Sequence, residues 1–104
     1  MTESEFLTQT DRIFSQIELA LDDVDFDVDA LRTGNVLEVE FDDGSKVIVN
    51  RHVFNQEVWI AARSGGYHYR YDGQRWMNTR GEGEFFADLA AAISLHAGEA
   101  FAFH

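Results

Sequence analysis

Between Glu18 and Asp29 the chain reads Glu-Leu-Ala-Leu-Asp-Asp-Val-Asp-Phe-Asp-Val-Asp, with no basic residue in the run. Asp22, Asp23, Asp25, Asp27 and Asp29 crowd like charges that repel by up to roughly 1 kcal/mol per close pair in a water-like dielectric. A run that served folding alone would interleave Lys or Arg. Two chemistries fit such carboxylates: a site for hard cations, or a docking surface for a basic partner. A plain solvated helix end is the competing reading. Surface carboxylates without His or Cys suit Fe3+, Ca2+, Mg2+ and Mn2+, and hold Fe2+ weakly. The run lacks the Asp-x-Asp-x-Asp-Gly and terminal Glu of a calcium loop, so any sites are expected to be shallow, weak and multiple.

Other chemistries find little support. There is no Cys for a thiolate, a disulfide or a sulfur-bound metal. No Ser-His-Asp arrangement, HExxH, phosphate loop or dinucleotide fingerprint occurs. His52, His68, His96 and His104 are scattered without helical ligand spacing; His96 reads as core or helix end, and His68 as surface.

The elements that must carry the acids follow from periodicity. Thr2-x-x-Glu5 is a capping-box spacing that opens a helix. Phe6, Ile13, Phe14, Ile17, Ala20, Leu21 and Val24 continue one apolar face for about five turns. Asp11, Ser15, Glu18 and Asp22 line another face, where acids near the C-terminal end oppose the helix dipole. Asp25 to Asp29 reads as an extended linker, and Thr33-Gly34-Asn35 as a turn. Val36 to Phe41 alternates, with Leu37, Val39 and Phe41 inward and Glu38 and Glu40 outward. Asp43-Gly44 is a hairpin signal; a two-residue loop there sets Val39 opposite Ile48 and Phe41 opposite the stem of Lys46. Glu38, Glu40 and Asp42 then approach the acidic helix end if this strand lies at an edge. Glu57 to Arg63 and Tyr67 to Tyr71 form a further pair about Gly65-Gly66. That pairing sets Ala62 against Tyr69 and Ile60 against Tyr71, with Trp59, His68 and Arg70 on the opposite, open face. Exposed Trp favours a binding surface, with cover by neighbouring side chains as the alternative. Asp72-Gly73 turns into a short strand at Arg75-Trp76-Met77. Glu84 to His96 reads as a second helix capped by Gly98, and Phe101 and Phe103 as plugs for the core. The expected fold is α+β: a two-layer sandwich with two helices on one face of an antiparallel meander, as one domain over 1–104.

Charge narrows the partners. The formal net charge is −11. Residues 1–43 hold thirteen acids against Arg12 and Arg32, and residues 44–104 balance six acids with six bases, so the whole excess lies in the first part. Nucleic-acid backbones and anionic membranes are disfavoured, because both need clustered Lys and Arg. Without a basic-then-apolar start or a spanning apolar run, a cytoplasmic protein is expected.

Gly44-Ser45-Lys46-Val47-Ile48-Val49-Asn50-Arg51, then Val58-Trp59-Ile60-Ala61, then Gly65-Gly66-Tyr67-His68-Tyr69 resemble the frataxin family, nearest its bacterial branch. The likeness runs almost end to end, from Ser4-Glu5-Phe6 through Leu21-Asp22-Asp23 to Phe85-Phe86. It implies the same helix–meander–helix sandwich and a non-enzymatic role in iron–sulfur cluster assembly. That role is iron donor, or regulator of the cysteine desulfurase, with the cluster scaffold a further partner. By position, the resemblance implies weak Fe2+ and Fe3+ binding on an acidic ridge. The ridge comprises Asp11, Glu18, Asp22, Asp23, Asp25, Asp27, Asp29, Glu38, Glu40, Asp42 and Asp43. Asn50, Trp59 and Arg63 are the implied partner surface, and the iron-free protein is expected to be a monomer. Leu7, Leu19, His52-Val53-Phe54 and Glu57 depart from residues common in the family. Two other readings stand beside this one: an acidic interaction module without a metal role, and iron storage or ferroxidase activity. The last would need a buried di-iron site that no motif here resembles.

Overall fold

The computed structural model describes residues 1–104. Helix α1 (Glu3–Leu21) starts at a reciprocal capping box. Glu5 N–H donates to Thr2 Oγ1 (3.1 Å) while Thr2 N–H donates to Glu5 Oε1 (2.8 Å). Its stripe of Phe6, Thr10, Ile13, Phe14, Ile17 and Leu21 is buried at helical spacing. The helix stops at Leu21 with Asp22 as its C-cap, so Val24 falls beyond the stripe that periodicity had extended to it. Helix α2 (Phe85–Ala97) is capped by Glu84, whose carboxylate accepts from the Phe86 and Ala87 N–H groups. Gly98 closes it at a φ of 72°.

Between the helices six strands form one antiparallel meander in sequence order: β1 (Val28–Thr33), β2 (Val36–Phe41), β3 (Lys46–His52), β4 (Glu57–Ala62), β5 (Gly65–Tyr71) and β6 (Trp76–Asn78). Both helices cover one face. Leu37, Val39, Val47, Val49, Val58, Ile60 and Tyr69 meet Phe6, Phe14, Ile17, Phe85, Leu89 and Ile93 there, all essentially out of water. Each side chain of that size contributes about 1.5–3 kcal/mol by leaving water. Phe101 and Phe103 pack edge-on against each other, against Phe26 and against Phe86, closing the rim.

Three expectations need correction. The extended stretch after Asp27 is a paired strand, so Val36–Phe41 is the second strand and β1 holds the edge. Aspartate is a poor strand former, but Val28, Ala30 and Arg32 give β1 one side that faces the helix layer. The β2–β3 loop has three residues, not two: Phe41 N–H donates to the Ser45 carbonyl (2.9 Å) and Gly44 N–H to the Phe41 carbonyl (2.9 Å). Gly44, at φ 83°, is the left-handed residue that such a loop requires. Val39 therefore faces Val47, and Glu40 faces Lys46. The β4–β5 turn is Arg63-Ser64, with Gly65 and Gly66 already in the strand, so Ile60 pairs with Tyr67 and Val58 with Tyr69. The Arg63 N–H and the Ser64 carbonyl are bonded to His96 and Tyr67, which holds the turn at these residues. Parity survives the shift: the tyrosines stay on the core side and Trp59 stays on the open face.

Candidate acidic surface and ring stack

The end of α1 and the segment after it project Asp22, Asp23, Asp25 and Asp27 into solvent, with Glu18 half-buried one turn earlier. The chain then enters β1, where Asp29 is exposed on the open face, directly across from Glu40 of β2. Asp42 and Asp43 occupy the tip of the β2–β3 loop. A cleft of about 540 Å³ draws these segments together, lined by Asp25, Asp27, Asp42 and Asp43. Glu99, just past the α2 cap, joins them. Sequence reasoning missed Glu99. Its one signal is the Gly98 cap, which turns the chain back toward an acidic loop some seventy residues earlier.

Three of the implied ridge residues are neutralised. Asp11 Oδ1 accepts from Arg51 Nη1 (2.6 Å) and from Arg32 Nη2, and both guanidinium groups lie over the Phe14 ring at 5.4 and 5.0 Å. The Arg51 guanidinium, with its hydrogen bond and charge, holds the Asp11 carboxyl below the usual carboxylate range. Lys46 Nζ sits 3.0 Å from Glu38. Asp43 accepts from the Ser45 hydroxyl (2.6 Å) and N–H (2.9 Å) and from Arg63 (3.2 Å). Those bonds, Ser45's first, lower its pKa to about 2. Of the eleven acids, Asp11, Glu38 and Asp43 are thus engaged, which leaves eight without an ion pair. These are Glu18, Asp22, Asp23, Asp25, Asp27, Asp29, Glu40 and Asp42. The implied ridge is therefore neutralised in part, because Arg32, Arg51, Lys46 and Arg63 fold back onto it.

No three His, Cys, Asp or Glu side chains converge closely enough to form a ready cation cage. The free carboxylates offer hard oxygen ligands one or two at a time, with water completing the shell.

On the open face, Asn50, Trp59 and His68 occupy one cross-strand row. Trp59 is sandwiched: His52 stacks on one side (centroids 3.5 Å apart, 23° between planes) and His68 on the other (3.8 Å, 1°). Its Nε1–H donates to Glu57 Oε1 (2.9 Å), and Arg70 holds Glu57 Oε2 (2.7 Å). Glu57 is 8% exposed, a nearly buried carboxylate with its charge compensated. Both indole faces are therefore filled within the molecule, and this surface presents the partly exposed histidine rings and the Asn50 amide, which meets His52 Nε2 at 3.3 Å. The alternation placed Trp59 and His68 together on this face; the stacking of His52 and His68 on the indole depends on register and was not read. Arg63 does not belong to the surface of Asn50 and Trp59. It lies at the β4–β5 turn, beside Asp43 on the acidic cleft. Leu19 (70% exposed) and Phe54 (99%) are apolar residues left in solvent.

Comparison with known proteins gives the class first. A frataxin-like domain matches residues 1–99, and the chain belongs to the frataxin family. Among its relatives, the iron–sulfur cluster assembly protein CyaY of Chromobacterium violaceum is 59% identical over 103 residues, covering 99% of this chain and 98% of that protein. The protein of the same name from Cupriavidus taiwanensis is 47% identical over 108 residues, covering 100% and 97%. The solved frataxin of Psychromonas ingrahamii superposes with a TM-score of 0.92 at 34% identity, over 100% of this chain and 99% of that one.

Proposed function

We propose that this protein serves iron–sulfur cluster assembly by carrying weakly held iron on its acidic surface and docking, through that surface, on a cysteine desulfurase. The observation that carries the reading is the set of eight carboxylates without ion pairs, drawn from α1, the α1–β1 segment, β1, β2 and the β2–β3 loop. Iron is cargo here. Oxygen ligands that do not close into a cage favour shallow, exchangeable binding of Fe2+ or Fe3+, which suits delivery better than storage. The same field steers the protein onto a basic patch and speeds encounter at low salt. The adjoining face of Asn50 and the His52–Trp59–His68 stack would meet the desulfurase or the scaffold, in the cytoplasm. On this reading the protein is a donor or regulator and catalyses no reaction itself.

The absence of a preformed cage also favours a second reading, docking on a basic partner with no metal role. Binding to the desulfurase, measured with and without iron and with Asp22→Lys/Asp23→Lys, separates the two. Iron delivery predicts that iron alters the affinity and that charge reversal weakens it at least about tenfold, or 1.4 kcal/mol. Loss on reversal without any iron effect selects the metal-free module. Binding indifferent to both overturns the acidic surface as the docking site.

A further inference from the structure

His96, in the last turn of α2, is 7% exposed, and its ring packs against Phe41 with centroids 5.2 Å apart. Its Nε2 accepts the main-chain N–H of Arg63 (3.1 Å). A main-chain amide can only donate, so the ring carries its proton on Nδ1. Nδ1–H donates to Ser45 Oγ (2.8 Å), and the Ser45 hydroxyl donates in turn to Asp43 Oδ1 (2.6 Å). Asp43 Oδ2 accepts from Arg63 Nη2 (3.2 Å), which closes the circuit on the residue where it began. The direction of every bond in this loop is fixed, and it ties the end of α2 to both the β2–β3 loop and the β4–β5 turn.

We propose that this circuit is a proton-operated latch: a proton taken up at His96 Nε2 breaks its bond to the main chain of Arg63 and frees the β4–β5 turn from α2, while the Nδ1–H bond to Ser45 keeps the β2–β3 loop attached. A protonated Nε2 faces the Arg63 N–H donor to donor, so that bond is lost and cannot be replaced in a ring pinned by Phe41. The charges around the ring decide how readily this happens. The Arg63 guanidinium resists a second positive charge, whereas Asp43 favours one; Asp25 and Asp27 before β1, Asp42 in the β2–β3 loop and Glu99 line the same cleft. Burial, then Arg63, hold His96 below the ordinary imidazole value, with Asp43 partly opposing. A histidine so lowered stabilises the folded form fully above about pH 6.5, and that contribution is lost as pH falls through the folded-state value. The latch goes beyond the functional proposal and needs neither iron nor a partner.

Residue-resolved NMR on the full chain tests it. The Arg63, Ser45 and Asp43 amides should shift together with the His96 ring nitrogens, at one midpoint below about 6.5. The protection of the Arg63 amide against exchange, taken relative to its intrinsic rate at each pH, should fall below that midpoint while that of other exposed turns stays constant. His96→Gln supplies a carbonyl for the Arg63 N–H and an amide donor for Ser45, and it does not titrate, so the shared transition should vanish. The wild-type ring spectrum is a second test that needs no variant: the proton must reside on Nδ1 at neutral pH. A ring protonated on Nε2, separate midpoints for the three amides, or an unchanged transition in His96→Gln would each overturn the latch.

Discussion

At the scale of single residues, a carboxylate's role here depends on what lies across from it, and sequence spacing hides that. Asp11 looks like the first member of an acidic row, yet it is bound by Arg32 and Arg51, 21 and 40 residues away in the chain. Its work is structural. Arg51 has a side chain only 10% exposed and also bonds Asn35 and Thr10, so Asp11→Asn leaves part of a buried cation uncompensated. We expect a loss of about 1 kcal/mol in urea denaturation, with iron binding retained. The lowered Asp11 carboxyl makes the acid limb checkable: its stabilising contribution is present above its unfolded value and is lost as pH falls through the folded one. The slope of stability below about pH 4 should flatten in Asp11→Asn. Glu57 is the second such case. Sequence reading marked it only as a departure from the family, whereas it anchors Trp59 and Arg70 from a nearly buried position. Glu57→Ala should cost about 1–3 kcal/mol and change Trp59 fluorescence.

At the scale of elements, alternation and helical period told which side of each strand and helix faces the core, because burial enforces both. They did not give loop lengths. Asp43-Gly44 satisfies a two-residue or a three-residue hairpin equally well, and the choice moved the β2–β3 pairing by one residue. Gly65-Gly66 drew the turn toward itself for the same reason, although a bond to His96, 33 residues away, and a local one from Tyr67 hold it at Arg63-Ser64. β1 was the element least legible, since Asp29 and the acids just before it argue against a strand and only the neighbouring β2 edge rewards pairing. The three-residue loop carries its own test. Gly44→Ala at φ 83° should destabilise by about 1 kcal/mol, even though no atom lies within 4 Å of the added methyl. An unchanged denaturation midpoint would show that the loop does not hold this geometry.

At the scale of the molecule, the fold was legible because two helical periods flank a run of alternating strands, and a meander is the simplest way to join them. The candidate surface was legible as a charge imbalance but not as a shape. The sheet adds Asp29 to Glu40, the α2 cap adds Glu99, and four basic residues subtract three acids. With a net charge of −11 and the remaining excess on one side, repulsion should make stability depend on ionic strength. Moving from about 10 to 150 mM salt shortens the screening length from roughly 30 to 8 Å. Relief of about 1 kcal/mol would raise Tm by about 4–8 °C in a chain of this size. A flat Tm would show that the crowding carries no strain.

The central claim, that iron is held by the unpaired carboxylates, is tested most directly by titrating the isotope-labelled protein with Fe2+ under anaerobic conditions and following paramagnetic broadening residue by residue. The account predicts that amides of Glu18, Asp22, Asp23, Asp25, Asp27, Asp29, Glu40 and Asp42 broaden first and at weak, graded affinity, while Asp11 and the His52–Trp59–His68 stack stay sharp. Broadening that begins at the histidine stack or at Asp11 and spares the α1–β1 segment would contradict it.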